Sequence, residues 1–229
     1  MIPSSLIKAL RPVTVVVGHY GSGKTNFTLN LALDLQALGR NVTVVDLDIV
    51  NPYFRASEQR AQLEAEGVRL VAPVFSEAAT SLDVPSLTGL IDPAIRNAGK
   101  DDVTLIDAGG DDVGATALGR YARLVTARDH AVLYVANRYR NLVADPHDAV
   151  QNLREIEAAS HLSVTDLVNN SHLKDATSSE TIASGFAYAG ELSALTGLPL
   201  VCTTVPSAFD PAHTENAYPV RQLVKNPWE

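Results

Sequence analysis

The chain has 229 residues, 46% of them hydrophobic, and a formal net charge of −8. This length predicts one domain with a well-buried core over residues 1–229 and is too short for two large domains. The acidic charge argues against broad electrostatic binding to nucleic acid or to an anionic membrane, so we expect neither partner. With Cys202 as its one cysteine, the sequence excludes a disulfide framework, a Cys₄ zinc site and an iron–sulfur cluster held by a cysteine pair.

Short apolar runs recur along the chain with amphipathic stretches between them. They cover residues 13–17, 42–45, 68–71, 103–106, 131–135, 162–168 and 198–201. This alternation predicts a mostly parallel sheet of about seven strands with helices on both faces, a three-layer α/β fold. No run approaches 18 residues, and the apolar stretch near the N-terminus is too short for a signal peptide, so we expect a cytoplasmic protein.

The first apolar run leads into a glycine-rich loop and then into a helical pattern. Glycines let backbone N–H groups converge on phosphates, and the following helix presents its positive end to them. Lys24 adds a cation for the β- and γ-phosphate oxygens, and the Thr25 hydroxyl is placed to bind Mg²⁺. The loop therefore predicts a site for a nucleoside triphosphate with Mg²⁺, the alternative being a glycine-rich turn without a ligand. The predicted nucleotide-binding residues here are Gly18, His19, Tyr20, Gly21, Ser22, Gly23, Lys24, Thr25 and Asn26.

Several helix ends carry recognisable signals. The first long helix should run from the loop to about Leu38 and end at Gly39. The Asp-Pro pair at 145–146 predicts the start of another helix. Residues 177–180, Thr-Ser-Ser-Glu, are typical of a capping box. Residues 73–90 are the least regular part of the sequence, and we expect them to form an exposed loop.

The second apolar strand ends in two carboxylates, Asp46 and Asp48. Side chains alternate along a strand, so both should point to one side, and open α/β sheets bind ligands at the carboxyl ends of their strands. A carboxylate there can orient a water or hold a metal-bound water, which makes Asp48 a candidate for catalysis and for Mg²⁺ binding. The segment from Asp46 through Asn51 to Arg55 is predicted to be a switch. In the alternative, the two acids cap the next helix.

The fourth apolar run ends in Asp107, and two glycines follow it. This is the Walker B pattern, in which the carboxylate reaches Mg²⁺, usually through water, and Gly110 can bring a backbone N–H to the γ-phosphate. Gly109 and Asp111 belong to the same predicted switch, although Asp111 also fits a solvated loop acid.

These motifs together resemble the MinD/ParA-type branch of P-loop ATPases, which includes the nitrogenase iron protein and the arsenite- and tail-anchor-related ATPases. The resemblance extends from the loop at 18–25 to residues 198–206 and implies a three-layer P-loop NTPase fold. It implies that Asp48 is the hydrolysis-related carboxylate and Gly110 the γ-phosphate sensor. It also implies that Asn169 reads adenine and that Pro206 lies in a loop beside the base. An amide offers both a donor and an acceptor to adenine, although Asn169 also fits an ordinary strand-end turn.

The sequence departs from this family at His19. Family members usually carry a second lysine there, which reaches across a dimer interface to the partner's phosphates. Histidine is shorter and mostly neutral near pH 7, so the sequence leaves open whether the protein forms a nucleotide-dependent homodimer. The chain also lacks cysteine ligands for an iron–sulfur cluster and the long basic amphipathic helix of a membrane-targeting MinD.

Three functional hypotheses follow. In the first, the chain is a slow Mg²⁺-dependent ATPase that converts ATP to ADP as a switch for an unidentified protein client, with Lys24 and Asp48 as catalytic residues. The second is an ATP-dependent small-molecule kinase or ligase, in which Arg55, Arg138 and Arg140 bind an anionic substrate. The third is a regulatory ATP-binding module for metalloenzyme maturation that hardly hydrolyses ATP.

Overall fold

The computed structural model describes residues 1–48, 59–72, 89–110, 112–210 and 214–224. Within these residues, one sheet of eight strands forms the centre, in the order β3-β2-β4-β1-β5-β6-β7-β8, and all neighbouring strands are parallel. The strands are β1 (Val13–Val17), β2 (Asn41–Leu47), β3 (Arg69–Val71), β4 (Asp102–Ala108), β5 (His130–Ala136), β6 (Asp166–Asn169), β7 (Leu200–Pro206) and β8 (Ala217–Val220). The predicted parallel α/β sheet is confirmed, with one strand more than expected.

Helices cover both faces of this sheet. Two short 3₁₀ turns, Asn141–Val143 and Lys174–Ala176, interrupt the loops. The α-helices of the described residues are α1 (Ser4–Ala9), α2 (Lys24–Ala37), α3 (Arg60–Ala65), α4 (Ile91–Arg96), α5 (Asp112–Gly119), α6 (Ala122–Thr126), α7 (Pro146–Ser160) and α8 (Ser179–Thr196). None of them is both long and apolar enough to cross a membrane.

Side chains along each strand point alternately to the two faces of the sheet, and each face has its own hydrophobic core. In β1, Val15 packs in the core that contains Leu153 of α7 and Leu192 of α8, whereas Val16 packs in the core that contains Phe27 of α2. All five β1 residues are buried. A strand buried on both sides reads as a continuous apolar run, because neither face needs polar residues.

The predicted helix ends are largely confirmed. Gly39 follows α2 with φ of 82°, and Asp145 caps α7 by accepting a hydrogen bond from the backbone N–H of His147 at 2.8 Å. The capping box before α8 lies one residue later than its sequence suggested. Its pair is Ser178 and Thr181, because both hydroxyls can satisfy the exposed N–H groups of the first turn.

The eighth strand, β8, had no sequence signal because it is short and contains Pro219. Proline lacks the N–H that a central strand needs, but β8 is the last strand of the order and pairs only with β7 among the described strands. Tyr218 attaches β8 to α2: its ring meets that of Phe27 edge-on, with centroids 6.0 Å apart. The expected loop at 73–90 lies outside the described residues except for its last two.

Candidate nucleotide-binding site

The glycine-rich loop joins β1 to α2 and is closed by contacts with a neighbouring strand. Gly23 caps α2 with φ of 94°, a left-handed conformation that side chains other than glycine rarely adopt. The Asn170 amide donates to the carbonyl of Ser22 at 2.6 Å, and a Cβ on Gly23 would lie 2.2 Å from that amide nitrogen. Asn170, which directly follows β6, therefore fixes the shape of the loop, and alanine does not fit at position 23.

A cavity of about 720 Å³ opens above this loop, at the carboxyl ends of the strands. Lys24 is buried beside it, with its ammonium donating to the carbonyl of His19 at 3.2 Å. Eight of the predicted site residues line the cavity: Tyr20, Gly21, Gly23, Lys24, Thr25, Asn26, Asp48 and Pro206. Gly18, Ser22 and His19 lie in the same loop behind this lining.

Asp46 and Asp107 are direct neighbours on β2 and β4. Their side chains lie on the same face of the sheet as those of Val44 and Leu105, which precede them by two residues. Val44 and Leu105 pack in the core that contains residues of α2, so both carboxylates face the glycine-rich loop. Both residues are 1% exposed. Burial and the adjacent Asp46 raise the pKa of Asp107 to about 8, and the nearby Lys24 ammonium and Thr25 hydroxyl lower it by less.

This arrangement fits a bound Mg²⁺. The oxygens of Asp107 have no donor within hydrogen-bonding distance among the described residues, with the Thr25 hydroxyl close by. A bound cation would replace the proton that the raised pKa keeps on this buried group. The described residues hold no cluster of three or more His, Cys, Asp and Glu suited to a metal. Mg²⁺ does not need one, since it is commonly bound by one or two carboxylates, substrate phosphates and water.

Asp48 lies at the mouth of the same site, just beyond β2. Its backbone N–H donates to Asp46 at 3.0 Å, and the side chain is 8% exposed. A Cβ on Gly109 would lie 3.4 Å from one Asp48 carboxylate oxygen. Asp48 thus stands between the end of β4 and the cavity.

The segment after β4 rests directly on the glycine-rich loop. A Cβ on Gly110 would lie 2.6 Å from the Tyr20 nitrogen and 2.7 Å from the Gly18 oxygen. Backbone meets backbone here, which only glycine permits. The three other predicted switch residues, Asn51, Arg55 and Asp111, lie outside the described residues.

His19 stays within the loop. Its Nδ1 donates to the carbonyl of Tyr20 at 2.9 Å, since a carbonyl can only accept. Burial lowers the pKa of His19, and the charges of Lys24 and Arg140 lower it further against the raising effect of that hydrogen bond. The lowered pKa favours the neutral ring, which lacks the positive charge of a lysine.

The two asparagines after β6 have different surroundings. Asn169 is fully buried, accepts from the N–H of Ser171 at 3.2 Å and donates to the hydroxyl of Thr203 at 3.3 Å. Asn170 lines the cavity and donates to the loop. The adenine-reading role of Asn169 stays a prediction, and the structure brings its neighbour Asn170 to the cavity instead.

Two cationic side chains follow β5, and one of them reaches the cavity. The Arg138 guanidinium donates to Ser184 of α8. Arg140 lines the cavity, and a Cβ on Gly21 would lie 3.4 Å from its Nε. The kinase or ligase hypothesis had named both arginines as residues that bind an anionic substrate. His172 also lines the cavity, and burial lowers its pKa to about 4, so it is neutral at pH 7.

A glycine-rich loop between β1 and α2, with carboxylates at the ends of two neighbouring parallel strands, defines a P-loop NTPase fold. The family model described as CobQ/CobB/MinD/ParA nucleotide binding domain matches residues 13–180, which is more than half of the chain. The chain belongs to this family of nucleotide-binding proteins. No curated protein sequence matches it.

Solved structures with the same fold include several FtsY proteins, one of them described as a signal recognition particle receptor. The receptor from Elizabethkingia anophelis, in complex with GDP, is 22% identical with a TM-score of 0.54, over 85% of this chain and 57% of that one. The Thermotoga maritima protein is 20% identical with a TM-score of 0.54, over 89% and 68%. The chloroplast protein of Physcomitrella patens is 17% identical with a TM-score of 0.59, over 86% and 59%. The chain thus spans less than two thirds of the length of the first and third of these, and the similarity defines the fold.

Proposed function

We propose that this protein is a Mg²⁺-dependent ATP-binding protein and slow ATPase that acts as a switch. The observation that carries the proposal is that the glycine-rich loop and Asp48 line one cavity, with the buried Asp107 close to Lys24 and Thr25 of that loop. Lys24 and the loop amides are placed to stabilise charge on the transferred phosphoryl group.

Each carboxylate has a distinct part in this proposal. Asp107 and Thr25 would hold Mg²⁺, which supplies charge neutralisation to the phosphates when it is bound. Asp48 faces the cavity from the end of β2 and would orient the attacking water. Gly110 contacts the loop and would sense the γ-phosphate through its backbone N–H.

GTP is a second candidate because of Asp175. This residue lines the cavity together with Asn170 and Lys174. An ionised carboxylate only accepts hydrogen bonds, which suits the ring N–H and the amino group of guanine and does not suit the acceptor N1 of adenine. A binding competition between ATP and GTP therefore measures which base the site prefers.

The proposal is tested with the purified chain, Mg²⁺ and each triphosphate. We expect Mg²⁺-dependent binding and slow, steady formation of ADP without any added acceptor. A failure to bind any nucleoside triphosphate in Mg²⁺ would overturn the proposal, and turnover that requires a metabolite would support a kinase or ligase. Size measurements with ADP and with a non-hydrolysable ATP analogue test a nucleotide-dependent homodimer.

Arg140 is expected to contribute to phosphate binding. No salt bridge joins it to a carboxylate of the described residues, and it lies against Gly21 of the loop. We expect Arg140→Ala to weaken triphosphate binding about 3- to 10-fold, or ~0.6–1.4 kcal/mol, because a cation near the phosphates is lost. Isothermal titration at two salt concentrations measures this.

The matched control for that variant is Arg123→Ala, which removes an exposed guanidinium from α6. Binding by the control should equal that of the parent, and Arg140→Lys should retain part of the affinity. Equal losses in the Arg123 and Arg140 variants would show that only net charge matters.

A further inference from the structure

Two asparagines of α2 hold the backbone that follows β8. Asn30 donates to the carbonyl of Arg221 and accepts from its N–H, both at 2.8 Å. Asn26 donates to the same carbonyl at 3.0 Å and accepts from the N–H groups of Leu223 at 2.8 Å and Val224 at 3.4 Å. Residues 26 and 30 are one helical turn apart, so their side chains share a face of α2.

These contacts replace strand pairing. The pairing of β8 with β7 ends at Val220, which pairs with Pro206, and the carbonyl of Val220 still accepts from the N–H of Ser207 at 2.9 Å. Beyond that point the polar backbone groups of residues 221–224 need other partners. The side chains of Asn26 and Asn30 provide partners for the N–H and carbonyl of Arg221 and for the N–H groups of Leu223 and Val224.

The held segment also forms part of the cavity. Arg221, Gln222 and Val224 line it on one side, and Pro206 and Ala208 line it from the end of β7. Asn26 is only one residue after Thr25 of the phosphate-binding motif. The distance between the loop and this part of the cavity is therefore set within the first two turns of α2.

We propose that residues 221–224 form a wall of the nucleoside subsite and that Asn26 and Asn30 are positioning residues that fix this wall relative to the phosphate loop. The inference rests on the proposed function, since it takes the polyphosphate to lie on the loop. The nucleoside then extends from the loop toward the wall. The asparagines act through the wall and do not touch the phosphates.

The proposal separates nucleoside binding from phosphate binding. Ligands with a nucleoside, such as ATP and ADP, use both the loop and the wall, whereas inorganic tripolyphosphate uses the loop alone. A loose wall must be ordered each time a nucleoside binds, and ordering even one residue costs about 1–2 kcal/mol, or roughly tenfold in affinity.

The first test compares the affinities of the parent and of Asn30→Ala for ATP and for tripolyphosphate, both with Mg²⁺. We expect ATP affinity to fall about tenfold while tripolyphosphate affinity stays within twofold of the parent. Asn97→Ala, at the exposed end of α4, is the control. A parallel loss of both affinities would overturn the proposal, because it would show that the asparagines only support the loop.

The second test uses the unaltered chain and so does not depend on the variants folding. We expect Mg²⁺–ADP to slow amide hydrogen exchange at Arg221, Leu223 and Val224 as well as in the loop, whereas tripolyphosphate should slow it in the loop alone. Protection by ADP confined to the loop would overturn this inference and leave the proposed function intact. Absence of binding by both ligands would overturn the two together.

Discussion

Replacement of Lys24 by alanine is expected to weaken the binding of ATP about 10- to 100-fold and to abolish measurable turnover. The ammonium lies at the start of α2 beside the cavity and is the cation nearest in sequence to Thr25, the proposed Mg²⁺ ligand. A hydrogen bond to a charged group contributes about 1.5–3 kcal/mol, and 1.4 kcal/mol is tenfold in affinity. Titration with a fluorescent ATP analogue measures the loss, and phosphate release measures turnover.

The control for this variant is Lys100→Ala, which removes an exposed ammonium of the same charge. Its affinity and turnover should match those of the parent. If Lys24→Ala bound ATP as tightly as the parent does, the nucleotide would not lie on the glycine-rich loop, and the proposed function would be wrong.

Replacement of Asp107 by asparagine should have opposite effects on stability and on function. In the absence of Mg²⁺ and nucleotide, we expect the variant to be more stable than the parent at pH 8. A neutral amide avoids the cost of a buried charge beside Asp46. About 1 kcal/mol corresponds to a rise of roughly 2–4 °C in Tm for a chain of this size. In the presence of Mg²⁺–ATP, the stabilisation that the parent gains should be largely lost.

The pH dependence follows from the direction of the shift. Burial raises the pKa of Asp107 to about 8 from an ordinary value of 3.8, so between these values the folded protein binds more protons than the unfolded one. The parent therefore loses stability as the pH rises from about 4 to 8, and the variant lacks this loss. Thermal unfolding in EDTA at pH 5 and 8 measures it, with Asp101→Asn, an exposed acid, as the control. A difference in Tm that did not grow with pH would contradict this account.

Short-range sequence patterns predicted the α/β fold and most residues of the candidate site. The glycine-rich loop is recognisable because phosphate binding needs a fixed order of residue types over eight positions. Asp107 follows a run that is apolar except for Thr104, which indicates a buried parallel strand and hence a ligand-binding carboxyl end. These signals depend only on neighbours in the chain, so no tertiary information was needed to find them.

The remaining parts of the site depend on contacts between distant residues. Asn26 was predicted to bind nucleotide because it continues the loop, yet its amide bonds to Arg221 and Leu223, nearly 200 residues away. The sequence gives no hint of this pairing, since Pro219 obscures β8. The difference between Asn169 and Asn170 is similar, because alternation at the end of a strand sends adjacent side chains to opposite sides.

The close fit of Gly110 on the backbone of Gly18 and Tyr20 has a mechanical consequence. No side chain separates the two backbones there, so Gly110 cannot move toward the loop without displacing Gly18 or Tyr20. At the C-terminal end of α5, the backbone of Gly119 lies close to α7, and a Cβ on Gly119 would lie 2.9 Å from the carbonyl oxygen of Ala159. Close backbone contacts therefore lie near both ends of α5, one on the glycine-rich loop and one on α7.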